Sequence, residues 1–231
     1  MKRIILLIVI AGLFVALPAN ALRTSAQTAG MVSSVLRNMD RNKQNLKTLR
    51  ANITMEKYNA QLREPDTYQG IVLYIPGLAG NAFVRLEWTK PQHETLVVAN
   101  GNYTLYRPRL SMAYIGKTGG IKSQQDSDVL ALMSMSAAQL RTKFGEFQDT
   151  REETLWGGIH TTHFTAVPKT AASYKYIEVW VDDSGMPVQT KMVEKNDDST
   201  TVRLSEVEKN QNIPMDQFTL KLDASVKRVK G

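Results

Sequence analysis

The chain has 231 residues and no cysteine, and its 29 basic against 22 acidic side chains give a formal net charge of +7. With no disulfide framework available, a hydrophobic core must hold the fold. The positive excess is not gathered into a block and no nucleic-acid reader motif accompanies it, so it reads as a solvated surface. Such a surface has no nucleic-acid partner, but it can make transient contact with an anionic membrane.

Lys2 and Arg3 precede an almost wholly apolar run from Ile4 to Leu17, and Ala19-Asn20-Ala21 supplies the small residues of a cleavage site. The run is about fourteen residues long, short of the ~20 that a membrane-spanning helix needs. Together with Pro18, this favours a cleaved signal peptide over residues 1–21 rather than a retained anchor. A bacterial lipoprotein would need a cysteine just after that site. The sequence reads Leu17-Pro18-Ala19-Asn20-Ala21-Leu22, which predicts an exported, soluble, untethered chain. Taking Lys2 and Arg3 from the basic side chains leaves 27 against 22 acids, a net charge of +5. No repeat or low-complexity linker divides residues 22–231, which are expected to form one domain.

Leu22 to Gly30 is small and polar and is expected to fray. Val32, Val35, Leu36, Met39 and Leu46 then fall at helical spacing. From Thr48 to Lys57 the period changes: Leu49, Ala51, Ile53 and Met55 alternate with Arg50, Asn52, Thr54 and Glu56, as a half-buried strand requires. Further strands are predicted over Tyr68–Ile75 and Phe83–Thr89, separated by a loop at Gly77-Leu78-Ala79-Gly80-Asn81. Leu96–Ala99 and Tyr103–Tyr106 flank Asn100-Gly101, a hairpin signal in which both turn residues take positive φ. Leu110–Gly116 continues the sheet. A single helix is then predicted from Ser127 or Asp128, with Val129, Met133, Ala137, Leu140 and Phe144 on one apolar stripe and Gly145 as its stop. Strands resume over Ile159–Val167, Tyr174–Asp182, Val188–Glu194 and Thr200–Val207, joined by tight turns at Asp183-Ser184-Gly185 and Asn196-Asp197-Asp198. The pattern predicts a mainly β (α+β) domain, a large curved antiparallel sheet with helices packed on one face.

No catalytic constellation emerges. His160 and His163 sit in a strand, where residues three apart point to opposite faces and cannot share a metal. His93 belongs to a Pro91-Gln92-His93 turn. The sequence has no Gly-x-Ser-x-Gly elbow, phosphate loop or dinucleotide fingerprint. Glu152-Glu153 and Asp182-Asp183 read as solvated turn charges. Neither enzyme activity nor a cofactor or metal is expected. What stands out is apolar surface on both faces of several strands. Val72 and Tyr74 oppose Ile71, Leu73 and Ile75, while Ile177, Val179 and Val181 oppose Tyr174, Tyr176 and Trp180. A half-solvated sheet would alternate more cleanly.

The segment from Gly70 to Pro108 resembles the bacterial periplasmic lipoprotein carrier family, the LolA type. The likeness is carried by Gly70, Arg85-Leu86-Glu87-Trp88, Pro91, Leu96-Val97-Val98, Asn100-Gly101, Leu105-Tyr106 and Pro108. Leu49, Ala51, Ile53 and Thr54 are similar to that family's first strand, and Pro214–Val226, with Phe218-Thr219-Leu220, to its closing segment. The resemblance implies an incomplete β-barrel with an N-terminal helix and an inserted lid helix over a hydrophobic cavity. It also implies a monomer that takes acylated lipoproteins or lipid from an inner-membrane ABC-type exporter to an outer-membrane acceptor. Such a pocket binds chains by area, and Met112, Met133 and Met135 are adaptable lining near the inserted helix. By element position, the expected cargo contacts are Leu73, Leu86, Trp88, Val97, Tyr106, Met112, Tyr114, Leu130, Met133, Leu140, Ile177 and Val179. The lid is expected to swing at Gly116–Gly120 and Gly145. One departure stands out. The family commonly carries a basic latch residue before a Pro after its second strand, and here the chain reads Tyr74-Ile75-Pro76-Gly77. Competing readings are a carrier of free lipid or glycolipid and a lipid- or envelope-sensing protein. The sensors of this kind usually carry a second C-terminal domain, whereas this chain ends soon after Val229.

Overall fold

The computed structural model describes residues 20–77 and 81–231, with side chains of the first helix from Ala29 onward. The apolar N-terminal run lies outside the described residues, as does most of the loop expected at 77–81. Helix α1 (Asn20–Asn45) leads into strands β1 (Leu49–Asn59), β2 (Glu64–Ile75), β3 (Phe83–Lys90), β4 (Glu94–Ala99), β5 (Asn102–Arg107) and β6 (Met112–Lys117). Helices α2 (Gln124–Ser134) and α3 (Ala137–Lys143) follow. The chain then forms β7 (Phe144–Leu155), β8 (Ile159–Pro168), β9 (Tyr174–Asp182), β10 (Pro187–Glu194), β11 (Ser199–Lys209) and β12 (Lys227–Lys230).

All twelve strands join one sheet in the order β12-β6-β5-β4-β3-β2-β1-β11-β10-β9-β8-β7. Every pairing is antiparallel except that of β12, which lies parallel to β6. The sheet does not close on itself, so β12 and β7 remain as edges. Its two halves meet where β1 pairs with β11, from Leu49↔Lys209 to Tyr58↔Ser199. The expected alternation of β1 is present, with Leu49, Ala51, Ile53 and Met55 all buried. The β4–β5 turn is built as its sequence requires, with φ of 51° at Asn100 and 71° at Gly101.

Two clusters cover one face of this sheet. Val129, Leu132 and Met133 of α2 pack on Ile53, Val72, Val84, Leu86, Leu96 and Leu105. Val32, Val35, Leu36 and Met39 of α1 join Ala137 and Leu140 of α3 over Phe164, Ile177, Val179 and Val181. Each such side chain contributes about 1.5–3 kcal/mol on leaving water. The opposite face is crossed by the chain after β11. There Phe218 packs on Phe83, ring centroids 5.8 Å apart, and Arg85 Nη1 donates to the Gln217 carbonyl at 2.8 Å.

Four expectations need correction. Leu22–Gly30 belongs to α1 rather than to a frayed terminus. The single inserted helix is two: Met135 leaves helical geometry at ψ 134°, and Ser136 caps α3 by accepting the Gln139 N–H at 3.2 Å. Ser136-Ala137-Ala138-Gln139 has the spacing of a capping box, which restarts the helix and divides the predicted stripe, Val129 and Met133 joining one cluster, Ala137 and Leu140 the other, and Phe144 opening β7. α2 begins earlier than expected, with Ser123 accepting the Asp126 N–H. Finally, β7 and β12 are strands that the pattern did not predict. β7 is an edge strand with mostly polar side chains and two register shifts, and such bulges erase a period-two signal.

Gly185, in the β9–β10 turn at φ +85°, fixes how α1 docks, because a Cβ there would strike the Asn38 carbonyl. Gly185→Ala is expected to cost about 1–3 kcal/mol in denaturant unfolding. An unchanged midpoint would mean that α1 is not seated on this turn.

Candidate functional site

The helices do not fill the space above the sheet. A cavity of about 620 Å³ lies among α1, α2 and the first half of the sheet, lined by Met39, Leu46, Tyr74, Val84, Val98, Leu130, Met133 and Met186 among others. A second, of about 260 Å³, lies beneath α2 and α3 over the second half, where Leu140, Phe144, Tyr174, Ile177, Met192 and Val202 contribute to its wall. Leu132, Ser134, Met135 and Gln139 line both. The two spaces therefore adjoin at the break between α2 and α3. Methionine is frequent in these walls, and its unbranched thioether adapts to irregular contents.

The predicted cargo residues divide by location. Leu130 and Met133 line the larger cavity, and Leu140 and Ile177 the smaller. Leu86, Trp88 and Val179 are buried in the floor, and Tyr114 packs against the first cluster. Met112 pairs with Arg107 on the helix-covered face but lines neither cavity. Leu73 and Val97 line grooves on the opposite face, against the segment after β11. Tyr106 shares that opposite face, since it lies next to Leu105 along β5 and pairs with Ala113.

The polar groups that hold α2 in place were not foreseen. Trp88 Nε1 on β3 donates to Asp126 Oδ1 at 2.9 Å, a contact between two fully buried side chains. Beside it, Arg107 Nε lies 3.1 Å from Glu94 Oε1 and its guanidinium stands over the Tyr114 ring. The tie therefore runs from an indole on the third strand to a carboxylate on the first turn of α2, while the Tyr74-Ile75-Pro76 position of the family's basic latch carries none. Burial pushes the Asp126 carboxyl above the usual carboxylate range, against the pull of the Trp88 and Ser123 hydrogen bonds and the charges of Arg107 and Lys57. Burial raises Glu94 and Asp128 as well.

Of the histidines, His93 and His160 are exposed, and His160 Nδ1 lies 3.1 Å from Thr154 Oγ1. His163 is buried on the opposite face of β8, its ring 4.6 Å from that of Trp180 and its Nδ1 3.1 Å from the Asp149 carbonyl oxygen. Among the described residues no group of three or more His, Cys, Asp or Glu side chains converges on a metal position. Among the described residues, too, no helix is long and apolar enough to cross a membrane.

An open sheet with helices over an apolar, methionine-rich space has the architecture of a lipid- or lipoprotein-binding carrier. Residues 44–221 match the family model of the outer membrane lipoprotein carrier protein LolA, and the chain belongs to that family. A search of curated proteins finds no match. Among solved structures, a chain of the Pseudomonas aeruginosa MucA/MucB complex is 14% identical with a TM-score of 0.52, the match covering 86% of this chain and 63% of that one. This chain thus spans less than two thirds of that protein. An uncharacterized conserved protein from Thermus thermophilus is 11% identical (86% and 98% covered, TM-score 0.54). LprF from Mycobacterium bovis is also 11% identical (79% and 95% covered, TM-score 0.52). At these identities the likeness is one of fold.

Because Asp126 is raised in the folded chain, that chain binds the proton more tightly than the unfolded chain does. The resulting stabilisation is fully present below the ordinary value of 3.8 and is lost as pH rises through the raised one. Wild type is therefore expected to lose stability relative to Asp126→Asn as pH is raised toward neutrality, read as the difference in their melting temperatures. Parallel curves would show that the buried carboxyl does not titrate with folding.

Proposed function

We propose that this protein is a periplasmic carrier that shields the acyl chains of lipoproteins, or of related lipid cargo, as they pass from the inner to the outer membrane. The observation that carries the reading is the pair of adjoining apolar cavities beneath α1–α3, in a chain that belongs to a carrier family. An acylated protein cannot expose its chains to water, because each methylene left unburied forgoes about 0.8 kcal/mol. Cavities of a few hundred Å³ lined by adaptable side chains answer that need by area rather than by shape.

In this reading Leu130, Met133, Leu140 and Ile177 touch the chains, with Leu86, Trp88, Tyr114 and Val179 as the floor. Residues 1–21 direct export and are removed. Cargo arrives from an ABC-type exporter and leaves to an outer-membrane acceptor, and no covalent step is involved. Loading requires α2 and α3 to lift. Gly119 and Gly120, whose Cβ positions meet no neighbour, precede α2, and the Met135-Ser136 break lets the two helices move separately.

Met135 lines both cavities, so Met135→Trp should fill the shared region. Uptake of a tripalmitoylated lipopeptide by the folded variant is expected to fall roughly tenfold or more, a loss of about 1.4 kcal/mol or more. Undiminished uptake by a variant with unchanged melting temperature would place the chains elsewhere.

A further inference from the structure

Asp128 has no role in holding α2 to the sheet, yet it is one of the few buried carboxylates in the molecule. Asp128 is one of the residues that line the smaller cavity and is 8% exposed. Oδ1 accepts a hydrogen bond from Gln124 Nε2, one turn earlier in α2, at 2.7 Å. Oδ2 is buried and has no hydrogen-bond partner among the described residues. Lys143 lines the same cavity without forming an ion pair with it. A buried acceptor without a donor typically costs stability, and in a native structure it calls for an explanation.

The surroundings suggest what the missing donor is. Ala131 and Leu132, on the next turn of α2, and Ile177 and Val202 from the sheet make the cavity wall around Asp128 predominantly apolar. A ligand that lays a hydrocarbon chain along this wall brings its polar junction to the carboxylate. A junction made only of ester oxygens offers acceptors and sets oxygen against oxygen. An amide junction offers an N–H, and every acylated polypeptide carries such groups beside its chains.

We propose that Asp128 is the acceptor that orients cargo in the smaller cavity, taking an amide N–H at the junction of acyl chain and peptide and so favouring acylated polypeptide over ester-only lipid. The inference rests on the carrier reading and names its cargo class. Asp128 then acts as a specificity-determining residue, retained at the expense of the empty protein's stability.

The test uses two neutral ligands of nearly the same shape, N-dodecylacetamide and dodecyl acetate, with binding to the full chain measured by calorimetry at neutral pH. Wild type is expected to bind the amide about tenfold or more tightly, the range of a hydrogen bond to a charged group. Asp128→Leu should bring the ratio close to one and raise the melting temperature of the empty chain. Asp128→Ala should also abolish the preference, which covers a failure of the leucine variant to fold. A carboxylate that merely supported α2 would change stability and leave the ratio alone. Equal binding of the two ligands by wild type, or a preference that survives both substitutions, would overturn the assignment of Asp128 and leave the carrier reading standing. Binding of neither ligand by wild type would remove both.

Discussion

The pairing of β1 with β11 is the contact on which the rest of the architecture depends. It joins residues more than a hundred positions apart in sequence and turns two arrays of strands into one twelve-stranded sheet. The helices then cover both halves, α2 reaching across the seam from Trp88 on β3 to β10 and β11, and α1 with α3 lying over the second half. The apolar space is left between these two clusters, where α2 gives way to α3 and Met135 lines both cavities. A continuous helix would have spanned the junction as one rigid rod. The Met135-Ser136 break divides the cover into two pieces, each with its own contacts to the sheet.

Polar chemistry beneath this cover is sparse and concentrated at α2. Asp126 faces Trp88 and holds the helix down, whereas Asp128, two residues on, lines a cavity, and in each the Oδ2 atom has no hydrogen-bond partner among the described residues. An apolar core would have been the simpler solution, since unpaired buried carboxylates typically destabilise. Their presence fits a protein whose cover must stay in place when empty and lift when cargo arrives. It also fits a site that reads the polar end of what it encloses.

Much of the frame was legible from residue patterns. The stripe of α1, the strict alternation of β1 and the Asn100-Gly101 hairpin each follow from local chemistry. The break in the inserted helix was not, because Met133, Ala137 and Leu140 keep helical spacing through it and only the Ser136-to-Gln139 cap reveals the restart. Strand β7 was hidden by polar side chains and bulges. The division of faces was harder still. Leu73 and Val97 are as apolar as Leu86, and only the path of the segment after β11, with Phe218 on Phe83, shows that their side of the sheet has a cover of its own. Asp126 and Asp128 resembled ordinary helix-start charges. Their burial depends on Trp88 and on the sheet beneath, which no local pattern encodes.

The central claim is that the space beneath the helices holds acyl chains of acylated polypeptides. Its most direct test is native mass spectrometry of the protein purified, without detergent, from the periplasm of a lipoprotein-producing host. The account predicts a complex with close to one acylated polypeptide per chain. A folded chain that leaves the periplasm with nothing apolar bound, in a host whose lipoproteins are in transit, would contradict it.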